Sequence, residues 1–172
     1  MNILLTGATG YIGKRLLPFL VQNGHFVYCG VRDAERFSPP DSLKNHIEVV
    51  QFDLLDEDSL QSISKEIDVA FYLVHSMSTD KEYVDLELKS ARNFRKIINT
   101  TNARQVIYLS GIINENDLSE HLKSRKNVEE ELEKGEFALT TLRAGIIIGS
   151  GSASFEIIRD LVEKLPIMIT PK

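Results

Sequence analysis

Cysteine is nearly missing from this chain of 172 residues; Cys29 is the only one, so no intrachain disulfide can form. Its place in the apolar run Phe26–Val31 reads as a buried thiol rather than a reactive one. An excess of basic charge is missing too. Lys and Arg number 20 against 25 Asp and Glu, a net charge of −5. That balance argues against nucleic acid as a main partner, since phosphate-backbone binding needs a basic face, but it leaves room for a local cationic spot. No apolar run approaches the ~18 residues of a membrane span. The N-terminal apolar segment is too short for a signal sequence and is interrupted by glycines, so the expected location is cytoplasmic, away from membranes. Internal repeats, low-complexity tracts and a metal-ligand pattern are likewise lacking. What remains is an ordinary globular composition, 42% hydrophobic and 26% charged, of a length suited to one domain.

The most informative stretch lies at the start. Ile3-Leu-Leu5 is an apolar run of strand length, and Gly7, Gly10 and Gly13 follow at three-residue spacing before an amphipathic helix pattern. A strand, a glycine turn and a helix N-terminus make a site for a diphosphate. Backbone approaches a ligand closely where Cβ is absent, and the first-turn N–H groups and helix dipole favour an anion. The candidate binding residues here are Gly7, Thr9, Gly10, Tyr11, Ile12 and Gly13, with Gly13 also letting the helix lie close to the strand. The spacing is G-x-x-G-x-x-G, a modified form of the general dinucleotide fingerprint.

Further along, strand patterns alternate with helix patterns. Helices are expected at 11–22, 56–64, 81–100 and 153–164, and strands at 26–31, 47–52, 68–74, 105–110 and 137–142. The first helix should present Ile12, Leu16, Leu17 and Leu20 inward and kink at Pro18, ending at Asn23-Gly24. The helix at 81–100 carries Val84, Leu88, Ala91, Phe94 and Ile98 on one face and charge on the other. The last helix should bury Phe155, Ile158, Leu161 or Val162, and Leu165. This order predicts an α/β fold, a Rossmann-type doubly wound parallel sheet in three layers with right-handed crossovers and the ligand at the strands' carboxyl ends. Arg32 ends the second strand, 19 residues past Gly13, where dinucleotide folds meet the adenosine ribose. An acid there bonds a 2′-hydroxyl and an arginine suits a 2′-phosphate, so NADP is preferred over NAD. The competing reading is a solvated surface arginine. Arg36 is a second cation nearby, beside Asp33 and Glu35.

Thr6-Gly-Ala-Thr-Gly-Tyr-Ile-Gly13 resembles the nucleotide loop of the short-chain dehydrogenase/reductase superfamily, with particular similarity to its atypical and extended branches of epimerase-like, NmrA-like and NAD(P)H-binding proteins. The resemblance implies that Asp53 accepts a bond from the adenine amino group while Leu54 packs on the ring; a turn or cap role for Asp53 is compatible. It implies that Val74 and His75, after the fourth strand, run past the ribose and nicotinamide side, His75 reading as a structural group rather than a catalyst. Hydride-transferring relatives carry a serine at the end of strand five and a Tyr-x-x-x-Lys pair after it. Here Ser110 holds the serine place, while His121 and Arg125 stand where tyrosine and lysine would be, with Glu129 further on. Arginine does not replace lysine in tuning a neighbour's pKa, so the catalytic reading of His121 competes with an ordinary exposed histidine, and Tyr83 is a spare phenol. Arg143-Ala-Gly-Ile-Ile-Ile-Gly149 resembles an Arg-Pro-x-x-x-x-Gly segment with alanine for proline. The resemblance also implies a C-terminal substrate-binding portion beyond residue 172, and a homodimer through the charged face of the 81–100 helix, for which a solvated face is the competing reading. Two functions follow: an NADP-dependent reductase of a carbonyl-, enone- or quinone-like group, or a non-catalytic NAD(P) sensor or scaffold of NmrA type. An epimerase would need a tyrosine base and a large second lobe.

Overall fold

The computed structural model describes residues 1–75, 81–112, 120–165 and 167, with backbone alone for 81–83, 120 and 121. Strands β1 (Asn2–Thr6), β2 (Phe26–Val31), β3 (Ile47–Gln51), β4 (Val69–Tyr72), β5 (Gln105–Gly111) and β6 (Ala138–Ala144) form one sheet. Helices α1 (Tyr11–Gln22), α2 (Lys81–Ile98), α3 (Glu120–Leu132) and α4 (Ala153–Lys164) connect them, with 3-10 turns at Asp41–His46 and Ser59–Ser62. The strand order is β3-β2-β1-β4-β5-β6 and every pair is parallel. Both halves wind outward from β1 and β4, so the expected Rossmann-type α/β sheet is the observed one, and a topological switch point opens between those two strands.

Strand pleating sends alternate side chains to the two faces. Ile3, Leu5, Val27, Cys29 and Val31 pack with Leu17 and Leu20 of α1. Leu4, Ala70, Tyr72, Val106 and Tyr108 pack with Phe94 and Ile98 of α2 and Val128 and Leu132 of α3. The helix periodicity of α2 therefore holds where it matters, with Ala91, Phe94, Ile97 and Ile98 buried. Burial pushes the Cys29 thiol up to about 12, which keeps it protonated and inert. Helix α1 runs unbroken through Pro18, and Gly24 beyond its end takes φ +78°.

Three expectations are corrected. The helix expected at 56–64 is only the turn Ser59–Ser62. Local side-chain bonds compete with it: Asp53 Oδ1 accepts from Leu55 N, Asp56 Oδ1 accepts from Asp58 N, and Ser59 Oγ donates to the Asp56 carbonyl. Helix α2 stops at Ile98, where the Thr100 and Thr101 hydroxyls donate to the Ile97 and Ile98 carbonyls and satisfy its end. Helix α4 has its expected bounds but buries no residue; Ile157 is 60% and Val162 56% exposed. Among the described residues it makes no extended contact with another element. An apolar stripe needs a partner surface to become buried, and amphipathic spacing does not supply one.

The charged side of α2 is engaged within the chain: Arg92 and Arg95 face Glu131 of α3, and Lys96 pairs with Glu57. Glu131 is the centre of this group, its side chain 3% exposed, with Arg95 at 3.0 Å and Lys134 at 2.8 Å. Burial pushes its carboxyl up, but the bonds and charges of Lys134 and Arg95 outweigh that and leave it below the ordinary carboxylate value. A lowered folded-state value means the ionised form stabilises the fold above the unfolded value near 4.5, and that contribution is lost as pH falls through the folded value. Glu131→Gln is expected to cost about 2 kcal/mol at pH 7 in urea unfolding. The gap to the native chain should close as the titration is repeated at pH values below 4.5.

Candidate cofactor-binding site

The site begins where β1 ends. Thr6 Oγ1 donates to the Phe71 carbonyl at 2.8 Å and accepts from Leu73 N at 3.3 Å, tying the carboxyl ends of β1 and β4 together. Gly7 then turns the chain at φ +71°, and a Cβ there would lie 3.0 Å from the Leu73 carbonyl oxygen. Gly10 N donates to the Gly7 carbonyl at 2.9 Å, and Lys14 N donates to the Gly10 carbonyl at 3.0 Å. Gly13 seats α1 on this turn: its Cβ would meet the Gly7 oxygen at 2.3 Å and the Ala8 Cα at 2.8 Å, both backbone. Helix α1 starts without a side-chain cap and without an acid in its first turn. Such an end presents N–H groups and partial positive charge with nothing of its own to neutralise them. The arrangement fits the diphosphate of a dinucleotide.

A cleft of about 590 Å³ opens beside this turn, at the switch point. Gly7, Thr9 and Gly10 line it, with Arg32, Asp53 and Leu54 on the β2–β3 side and Val74 and His75 on the β4 side. Thus eight of the residues singled out in the sequence converge on one cavity. Tyr11, Ile12 and Gly13 do not line it. Tyr11 lies under the Arg15 guanidinium, 4.6 Å from its ring centre, with its hydroxyl against Gly149. Arg15 donates to the Ser150 carbonyl at 2.6 Å, so the segment after β6 is held on α1. Arg32 is exposed at the rim, whereas Arg36 pairs with Asp33 at 3.1 Å and stands outside the lining. Asp53 serves the turn, accepting from Leu55 N at 2.9 Å, and also lines the cleft.

Ser110 and Arg125 come together elsewhere, between β5 and α3. Ser110 is buried, Arg125 Nη1 donates to the Leu109 carbonyl at 3.3 Å, and the Tyr108 hydroxyl donates to the Arg125 carbonyl at 3.3 Å. Burial pushes the Tyr108 phenol up, against the opposite pull of Arg125. Glu129 accepts from Arg143 at 2.8 Å. Neither Ser110 nor Arg125 lines the cleft. The side chains of His121 and Tyr83 lie outside the described residues.

Several lining residues had not been singled out. Gly30 and Phe52 form one pair: a Cβ at Gly30 would sit 2.6 Å from the Phe52 ring, so glycine is what lets that ring close the floor. A glycine inside a strand was the available signal. Tyr72 at the end of β4 and Leu86, Glu87 and Ser90 on α2 form the opposite wall. Their helical spacing marks a shared face, but only the packing of α2 over β4 brings that face to the cleft.

Among known proteins, the chain is 32% identical over 104 residues to isoflavone reductase homolog P3 of Arabidopsis thaliana, an overlap of 56% of this chain and 34% of that one. It is 32% identical over 102 residues to phenylcoumaran benzylic ether reductase Pyrc5 of Pyrus communis, covering 55% and 33%. The match therefore spans about a third of the length of these relatives. In structure it is similar to the triphenylmethane reductase of Citrobacter sp. complexed with NADP(H), with a TM-score of 0.73 over 95% of this chain and 55% of that one. At 19% identity this last likeness shows the fold alone. A family model described as NAD(P)H-binding matches residues 7–161, a span that runs from the glycine turn into α4, and the chain belongs to that NAD(P)H-binding family.

Proposed function

We propose that the chain binds NADPH in preference to NADH and forms the cofactor-holding part of a reductase acting on a carbonyl-, enone- or quinone-like group. The observation that carries the cofactor preference is Arg32 at the end of β2, in the wall of the cleft and exposed to a ligand. A guanidinium there makes charge-assisted bonds to a 2′-phosphate and only a weaker neutral contact to a bare 2′-hydroxyl. The first-turn amides of α1 would hold the diphosphate, Asp53 and Leu54 the adenine, and the β4 wall the second nucleoside. A reduced nicotinamide supplies hydride when bound. The reductase reading draws support from the names of the plant relatives, and the exposed apolar side of α4 supports a further lobe seated against it that would complete a substrate pocket.

A non-catalytic NAD(P) sensor is the second reading, and one observation favours it. Arg125 points one guanidinium nitrogen at the Leu109 carbonyl and, like Ser110, stands back from the cleft. A chain with that arrangement can report cofactor occupancy without turning over substrate. Oxidation of NADPH by the native protein with a panel of quinones, enones and aldehydes selects the first reading; nucleotide binding with no turnover across the panel selects the second.

Fluorescence titration should give tighter binding of NADPH than of NADH. Arg32→Ala should weaken NADPH by about tenfold or more, one charge-assisted contact, and leave NADH nearly unchanged. Equal affinities for both in the native chain would refute the preference. The glycine turn makes a separate prediction. Gly13→Ala forces α1 off its seat, so thermal unfolding should reveal a loss of about 1–3 kcal/mol and calorimetry a weaker uptake of both nucleotides, whereas Gly24→Ala, with nothing near its Cβ, should lose stability only through its positive φ and keep nucleotide binding.

A further inference from the structure

We infer that cofactor occupancy is transmitted to α4 by a latch, in which Tyr11 and Arg15 of α1 seat the segment 145–152 and a bound diphosphate steadies that seat. The inference rests on the cofactor reading above and holds whether or not turnover follows. It gives the sensor reading an output, the apolar side of α4.

Helix α4 buries none of its residues, and among the described residues it makes no extended contact with another helix or strand. The segment that precedes it, in contrast, is tied to α1. Arg15 donates to the Ser150 carbonyl at 2.6 Å and lies 4.6 Å over the Tyr11 ring. The Tyr11 hydroxyl abuts Gly149, where a Cβ would collide with it, and the edge of the ring reaches Gly151. The segment is also closed on itself and on α4. Ser152 N donates to the Gly149 carbonyl at 2.9 Å, and the buried Ser152 hydroxyl donates to the Ile147 carbonyl at 2.6 Å. Gly151 N donates to Glu156 Oε1 at 2.9 Å, so the segment and the first turn of α4 move as one unit.

The two latch residues stand at the end of α1 that faces the diphosphate in the cofactor reading. Tyr11 is the first residue of the helix, so its amide is among the N–H groups without an intrahelical partner, while its ring bears on the segment. One residue thus offers backbone to an anion and side chain to the latch. Arg15 lies four positions on, above Tyr11 on the same face, and does not line the cleft, so its guanidinium serves the segment. An anion held by the amides of this turn restrains it, and a restrained turn loses less entropy when the segment closes on it. By linkage, a ligand that binds better with the segment seated holds the segment seated.

Amide hydrogen exchange of the native chain, read by mass spectrometry with and without saturating NADPH, tests the latch once fluorescence titration has established uptake. Amides of 145–164 should exchange about fivefold or more slowly when NADPH is bound. Arg15→Ala should abolish that slowing and bind NADPH about fivefold more weakly, the same coupling met from the other site. Gly149→Ala should do likewise, and adding Tyr11→Phe, which removes the hydroxyl its Cβ would strike, should restore the slowing. That restoration separates a latch from a weakened fold, and the pair carries the test if Arg15→Ala melts well below the native chain. Unchanged exchange over 145–164 at saturating NADPH, or slowing that persists in both Arg15→Ala and Gly149→Ala, would overturn the latch. A double variant that stays as the Gly149→Ala single would overturn the part given to Tyr11. If the native chain takes up no NADPH, the cofactor reading falls first and this inference with it.

Discussion

The structure depends on one close approach, that of α1 to the turn that launches it. Three glycines make it feasible, and each acts against backbone rather than against a side chain that could move aside. Gly7 takes φ +71° and faces the Leu73 carbonyl, while Gly13 brings α1 to within contact of the Gly7 oxygen. Thr6 adds a polar tie from β1 to the Phe71 carbonyl and Leu73 amide of β4. The two strands that flank the switch point are thereby fixed at their carboxyl ends, where their separation sets the shape of the cleft. Position of the helix end and position of the cavity are one constraint, and an uncapped N-terminus beside an open cavity is a consequence of it.

Around that constraint the molecule divides its polar groups by task. One set is structural: Glu131 draws Arg92, Arg95 and Lys134 together at the α2–α3 contact, and the buried Asn93 donates to the Leu54 carbonyl at 2.9 Å, tying α2 to the strand-three loop. Another set lines the cleft, with Arg32 on one side and Glu87 on the other. Between the two lies the cluster of Tyr72, Tyr108, Ser124 and Arg125, which touches the cleft through Tyr72 and the core through Tyr108. A pocket wall backed by buried hydrogen bonds holds its side chains in place before a ligand arrives, which lowers the entropy cost of binding.

Membership of the NAD(P)H-binding family accounts for the glycine turn and the sheet. Arg32 follows β2 and lines the cleft at its exposed rim. Arg125 turns inward to a strand carbonyl. On the far side, α4 displays Ile157, Ile158, Leu161 and Val162 to solvent, and among the described residues no helix is long and apolar enough to cross a membrane.

Much of this was legible from residue order alone. Runs of strand length alternating with helical periodicity specify a parallel doubly wound sheet, because a parallel pair needs a crossover and the crossover has one hand. The bounds of α1, β2 and α4 agree with the pattern to the residue, since periodicity and turn residues act locally. The three glycines named the turn for the same local reason. Burial of α4 was not legible: spacing creates an apolar stripe, and whether anything covers it depends on neighbours far away in the chain. Nor was the second wall of the cleft, because Tyr72 and Glu87 belong to two elements and line one cavity only when α2 packs over β4. Local chemistry sets what each segment becomes; which side chains share a cavity is decided by packing, a property no single segment possesses.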